Sequence, residues 1–195
     1  MTISDARPVA DASTAVPTPG CPAAAIATGP RQLVWSDMEK QIDRIACTAE
    51  ADGRPQTIVG VVRGGLVPAV MLAHRFGIRD VRAVEVTHTI DDTTDAVKTA
   101  RPLSRNSASL GDVGGLDVLV VDDVAGTGET LAVVLQIVEQ AGAARVRSAV
   151  LVVNEANWTS DQPPGESVTC IGERVRSWVV FPWETPAATR TEGAS

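Results

Sequence analysis

V-L-V-V-D-D-V-A-G-T-G-E-T, residues Val118 to Thr130, is the stretch on which the reading of this chain turns. Its first residues are a run of β-formers of the kind that fills a strand buried on both faces. The run stops at two adjacent carboxylates, Asp122 and Asp123. A small-residue loop follows, and then an apolar, helix-patterned segment from Glu129 to Gln140, with Gly142 as its expected C-cap. Glycines let backbone N–H groups approach an anion, and the helix N-terminus beyond them adds its dipole and unpaired donors. Thr127 and Thr130 offer hydroxyl donors. Ala125, Gly126, Thr127, Gly128, Glu129 and Thr130 therefore suit a phosphate monoester without a lysine, the plain alternative being a tight turn. The acidic pair strengthens the case. Two carboxylates at a buried strand end are costly without hydroxyl or cation partners, and a vicinal diol and Mg²⁺ are the natural complements. Neither a GK[ST] sequence nor G-x-G-x-x-G is present, which argues against the P-loop and Rossmann alternatives.

Upstream, Thr57-Ile58-Val59-Gly60-Val61-Val62 is a second buried-strand run ending in Arg63-Gly64-Gly65, and a helical pattern follows from Leu66 to Phe76. One fixed cation beside close-approach backbone makes a second anion site. Ser36 and Glu39 read as a capping box, opening a helix on which Met38, Ile42, Ile45, Ala46 and Ala49 recur up to Gly53. Val81 to Val86 reads as a strand, whereas Thr87 to Gly115 has no periodicity and is expected to be a lid or binding loop. Further strands are expected at Val146–Val153, Ser167–Ile171 and Ser177–Val180, with a loop over Asn154–Gly165.

Strands alternating with helices predict a single α/β domain: a central, mainly parallel twisted sheet flanked by helices, with a flexible hood loop and a small C-terminal segment. Ligands of such sheets bind at the carboxyl ends of the strands, so the two glycine loops are expected to share one crevice. The domain is placed at residues 31–184, between an N-terminal tail (1–30) rich in Ala, Pro, Thr and Ser and a C-terminal tail (185–195), both expected to be disordered.

A chain of 195 residues and 20.3 kDa supports one sizeable core. Its net charge of −7 argues against nucleic acid or an anionic membrane as the main partner. No basic, apolar leader pattern and no apolar run of ~20 residues is present, which gives the expectation of a cytoplasmic protein. Cys21, Cys47 and Cys170, odd in number and without a CxxC, are expected to be free thiols. His74 and Trp35 read as packing or surface residues, while His88 and Trp158 are secondary candidates for ligand contact.

V-L-V-V-D-D-V-A-G-T-G-E-T resembles the phosphoribosyl-pyrophosphate motif of type I phosphoribosyltransferases. V-V-R-G-G-L-V-P is similar to the pyrophosphate loop of the xanthine/guanine/hypoxanthine branch, and W-V-V-F-P-W-E (Trp178 to Glu184) to its C-terminal base-binding segment. The resemblance spans roughly residues 33 to 185. It implies transfer of a phosphoribosyl group from phosphoribosyl pyrophosphate to a ring nitrogen of a purine or purine-like base, as in purine salvage, with Mg²⁺. Asp122 and Asp123 would take the ribose hydroxyls and the metal. Residues Ala125 to Thr130 would hold the 5′-phosphate, and Arg63, Gly64 and Gly65 the pyrophosphate. Lys98 or Arg101 would reach the pyrophosphate from the hood, Lys98 being counted with the catalytic residues. Trp178 would stack on the base and the Val179 backbone would read its edge. A homodimer or homotetramer is also implied. The alternative is a regulator of the same fold that senses phosphoribosyl pyrophosphate without catalysis.

Three positions depart from the 6-oxopurine pattern. Gly126 stands where that branch usually has an aspartate assisting proton transfer, Asn154 where it has a lysine at the base, and the hood lacks an aromatic residue. The resemblance then implies an acceptor pocket, including Asn154, with a different donor and acceptor pattern.

Overall fold

The computed structural model describes residues 26–27, 31–89, 98–104 and 107–184. Seven strands form the main sheet: β1 (Ile26–Ala27), β3 (Thr57–Val62), β4 (Val81–Thr89), β5 (Lys98–Ser104), β6 (Asp117–Ala125), β7 (Arg145–Asn154) and β8 (Cys170–Val175). Their spatial order is β1-β8-β7-β6-β3-β4-β5, and all neighbours are parallel except β4 and β5. A separate two-stranded parallel sheet joins β2 (Arg31–Gln32) to β9 (Val179–Val180). Helices α1 (Trp35–Ala51), α2 (Leu66–Phe76) and α3 (Glu129–Gln140) cover the main sheet, and a short α4 (Pro164–Ser167) precedes β8.

The apolar runs read as doubly buried strands behave so. In β6, Leu119 and Val121 pack with Met38, Ile45 and Phe76 on the α1/α2 face, while Val118 and Val120 pack with Leu131, Val134 and Val138 on the α3 face. Alternate side chains thus enter two cores, which is why the run shows no polar alternation. At Gly60 a Cβ would sit 2.9 Å from Leu66 Cδ2 and 3.0 Å from Ala69 Cβ, so the missing side chain lets α2 lie close on β3.

The order of strands creates the crevice. From β3 the chain steps outward to β4, whereas β6, β7 and β8 run outward on the other side. Direction reverses between β3 and β6, the position at which sheets of this kind bind ligands beyond their carboxyl ends. At the opposite end Arg147, 3% exposed, is held by Asp117 at 3.0 Å and by the Ala49 carbonyl at 3.0 Å. That fork ties α1 to the sheet away from the crevice.

Several boundaries differ from the sequence reading. The first helix begins at Trp35, and its cap is the N–H of Val34 donating to Asp37 Oδ2 at 3.3 Å rather than a Ser36/Glu39 box. The stretch 87–115 is not wholly irregular: β4 runs on to Thr89, β5 returns antiparallel to it, and Ser107–Leu110 form a 3-10 turn. Cross-strand pairing supplies order there that single-chain periodicity does not reveal. Ile26–Ala27, inside the expected tail, pair with Arg174–Val175, so the sheet reaches into that segment. The rest of residues 1–30, apart from these two, and residues 185–195 lie outside the described residues, as do 90–97 of the hood. The free-thiol expectation fails at Cys47, which is disulfide-bonded to a partner outside the described residues. Cys170 is free and buried.

Candidate active site

The two loops meet. A Cβ on Gly64 would overlap the carboxylate of Asp123, and a Cβ on Gly65 would lie 2.6 Å from the Val121 carbonyl and 2.7 Å from that of Val61. Only glycines let the Arg63-Gly64-Gly65 loop rest against the acidic pair at this separation. The peptide between Val62 and Arg63 is cis, and Arg63 is exposed at the crevice rim.

Asp122 is 7% exposed in the C-terminal half of β6, which runs on through the acidic pair to Ala125 instead of stopping at it. Its Oδ1 accepts the N–H of Asp123 at 3.0 Å, and Asp123 Oδ1 accepts the N–H of Val124 at 2.8 Å. Burial holds the Asp122 carboxyl well above the usual carboxylate range, and the charge of Asp123 adds to this. Burial likewise raises Asp123, with a further contribution from the charge of Glu184. Glu184 comes from the C-terminal segment, where its Oε2 accepts the N–H of Phe181 at 2.8 Å. The pair thus gathers two carboxyl groups at one buried point where ionisation is costly. Hard, paired oxygen donors of this kind fit Mg²⁺, which keeps waters and shares phosphate ligands. No cluster of three or more potential metal ligands occurs among the described residues.

The loop Ala125 to Thr130 turns directly into α3. Gly128 has φ +83°, which a glycine adopts without strain. Thr127 Oγ1 accepts the N–H of Glu129 at 3.4 Å, and Glu129 lies in the first turn of the helix. The indole of Trp158 closes over Gly128, where a Cβ would be 2.9 Å from the ring, and Trp158 Nε1 donates to the Gln162 carbonyl at 2.8 Å. A cleft of about 550 Å³ opens beside this loop, lined by Thr127, Leu131, Leu135, Trp158, Gln162 and Glu166 among others. Neither aspartate nor Arg63 lines it, so it is a side cleft of the loop.

The C-terminal segment stands over the strand ends. Arg31 N–H donates to the Trp178 carbonyl at 3.2 Å and Leu33 N–H to the Val180 carbonyl at 2.9 Å. Alternation along β9 then turns the N–H and C=O of Val179 away from β2. The Trp178 side chain is 54% exposed. Phe181 stacks on Trp183 with centroids 4.7 Å apart, and Trp35 packs against Trp183. Arg31 is ion-paired with Glu173 of β8, whose other oxygen accepts from Gln41 Nε2 at 2.8 Å. This network ties the small sheet to the large one.

Asn154 is tied to the chain on either side of it. It is 6% exposed; its Nδ2 donates to the Ser177 carbonyl at 3.2 Å and its Oδ1 accepts the N–H of Ala156 at 3.1 Å. Both ends of the carboxamide are engaged in holding the chain. Glu155, beside it, faces Arg174 at 3.6 Å. Lys98 and Arg101 stand in β5, and their side chains, like that of His88, lie outside the described residues. His74 is an exposed residue of the last turn of α2, away from the crevice. Asn157 has no signal in the sequence, Glu184 has one only as the end of the W-V-V-F-P-W-E segment, and Trp158 is a secondary candidate for ligand contact; their proximity to Gly126, Asp123 and Gly128 is created by folding.

The mainly parallel sheet thus brings two glycine loops and an acidic pair together at the point where its strand order reverses. Residues 34–190 match the family model of the phosphoribosyl transferase domain, and the chain belongs to that family. It is similar to the crystal structure of purine phosphoribosyltransferase from Pyrococcus horikoshii, at 32% identity over 80% of this chain and 94% of that one, with a TM-score of 0.61. A hypothetical protein from Neisseria gonorrhoeae with bound ppGpp matches at 21% identity, covering 80% of this chain and 89% of that one, with a TM-score of 0.65. Helicobacter pylori xanthine-guanine-hypoxanthine phosphoribosyltransferase matches at 18%, covering 80% and 94%, with a TM-score of 0.57. The latter two speak to the fold alone.

Proposed function

We propose that this chain transfers the phosphoribosyl group of phosphoribosyl pyrophosphate to a ring nitrogen of a purine or purine-like heterocycle, releasing pyrophosphate. The observation that carries this reading is the contact between the Gly64–Gly65 backbone and the Asp122–Asp123 pair, beside the helix-opening loop Ala125 to Thr130. One crevice then offers two anion sites with a diol site between them. The purine phosphoribosyltransferase at 32% identity supports the acceptor class.

In this reading the α3 N-terminus and the Thr127 and Thr130 hydroxyls hold the 5′-phosphate. Asp122 and Asp123 accept the ribose hydroxyls and would hold Mg²⁺. The metal, when bound, neutralises charge on the pyrophosphate. Arg63 and the glycine backbone bind the leaving end, with Lys98 and Arg101 of β5 as further cations. Trp178 covers one face of the acceptor, and the outward N–H and C=O of Val179 read its edge. Enclosure by these elements excludes water, which would otherwise compete with the base for C1. Self-association into a dimer or tetramer and a cytoplasmic setting belong to the same reading; among the described residues no helix is long and apolar enough to cross a membrane.

Gly126 favours a second reading, a sensor that binds phosphoribosyl pyrophosphate without transfer, because that position carries no carboxylate for proton transfer. Incubation with phosphoribosyl pyrophosphate, Mg²⁺ and a panel of purines, pyrimidines and pyrrolopyrimidines separates the two. Pyrophosphate release that depends on one heterocycle is expected. Donor binding by calorimetry with no release for any acceptor would establish the sensor instead.

A further inference from the structure

We infer that Asn157 is an acceptor-reading residue, held in place by Asn154, and that it supplies the polar group over Gly126; this rests on the transfer reading above. Gly126 follows the last residue of β6, whose Ala125 is in register with Val153 of β7. Among the described residues a Cβ added at Gly126 would meet one neighbour, Asn157 Cβ at 3.7 Å. Among the described residues there is therefore room beside the loop at that point, next to the Cβ of one polar residue.

That side chain comes from a pinned turn. Asn157 N–H donates to the Asn154 carbonyl at 3.2 Å, Ala156 N–H to Asn154 Oδ1 at 3.1 Å, and Glu155 N–H to the Val175 carbonyl at 2.8 Å. Glu155 also faces Arg174 at 3.6 Å. The other end of the Asn154 carboxamide holds the Ser177 carbonyl at 3.2 Å, immediately before Trp178. One buried amide thus ties together two stretches, one running into the exposed Trp178 and the other carrying the exposed Asn157. Among the described residues no hydrogen bond engages the Asn157 carboxamide, while that of Asn154 is engaged at both ends.

A carboxamide presents donor and acceptor together and carries no charge. It recognises a heterocycle edge bearing a complementary pair and binds it without acting as a general base. The acceptor class is then one whose ring edge offers both an N–H or amino donor and a ring-nitrogen or carbonyl acceptor.

The test compares wild type, Asn157→Ala and Asn154→Ala with the best acceptor of the panel and with its analogue in which one azole nitrogen is replaced by C–H. For Asn157→Ala the acceptor KM is expected to rise roughly three- to tenfold, the size of one lost neutral hydrogen bond, with the donor KM unchanged within twofold. The preference for the parent acceptor over the analogue should shrink by the same factor. Asn154→Ala, as a positioning variant, should raise the acceptor KM and lower the thermal midpoint, whereas Asn157→Ala leaves the midpoint in place. An unchanged acceptor KM in Asn157→Ala, or equal changes in both KM values, overturns the inference while leaving transfer intact. A wild type that binds donor and turns over no acceptor overturns the transfer reading and this inference with it.

Discussion

The carboxylate of Asp123 occupies the space that a side chain on residue 64 would need. A residue from the loop after β3 and one from the end of β6, far apart in sequence, thus form one surface, and the glycine is part of the acidic site. A methyl group at residue 64 must push Asp123 aside or move the loop. Gly64→Ala is expected to lower turnover by on the order of a hundredfold, the usual size of an ångström-scale misplacement in a reacting site. Steady-state pyrophosphate release, with circular dichroism to verify folding, measures this. Turnover within threefold of wild type would remove the pyrophosphate-loop assignment.

Asp122 and Asp123 both have raised carboxyl pKa values in the folded chain, chiefly through burial. A raised folded value means that ionisation opposes folding. The cost is absent below the unfolded carboxylate value of about 3.9 and grows as pH rises through the folded values. Asp123→Asn should therefore raise the thermal midpoint of the ligand-free and metal-free protein at neutral pH, with the gain fading toward pH 3. The same variant should lose turnover by roughly 10²-fold or more, since it removes a charge aimed at the donor. Midpoints measured across pH 3 to 8 decide this. A variant less stable than wild type at neutral pH would contradict the burial account.

Trp178 is 54% exposed, so its side chain contributes little to the core. Trp178→Ala should shift stability by no more than about 0.5 kcal/mol. Loss of a stacked ring should raise the acceptor KM on the order of tenfold and leave the donor KM near wild type. Equal changes in the two constants would argue that the residue only shapes the segment.

Burial pushes the Cys170 thiol up to about 11. At pH 8 only about one molecule in a thousand carries the thiolate that reacts with alkylating agents. Native protein treated with iodoacetamide at pH 8 should therefore stay unmodified at this residue and become modified on unfolding in urea, as read by mass spectrometry. Rapid labelling of the native chain would show that β8 is less well covered than its packing indicates.

The sequence by itself determined the local parts: the doubly buried strands, the α2 and α3 spans, the glycine loops and the acidic pair. These are legible because hydrophobic period and turn chemistry are properties of neighbouring residues. Even the Ser36 cap missed by only a residue or two, since Val34 and Asp37 compete for the same helix start. Tertiary structure alone decided what lies opposite what. The β4–β5 pairing orders part of a stretch that reads as shapeless, because its partners are supplied across strands. The resemblance implies that Asn154 lies at the base; only packing of β7 against the C-terminal segment decides that both ends of its amide also hold the scaffold. Asn157 over Gly126 and Glu184 acting on Asp123 join residues 31 and 61 positions apart. No periodicity encodes such pairs; chain crossovers and close packing at the reversal between β3 and β6 create them.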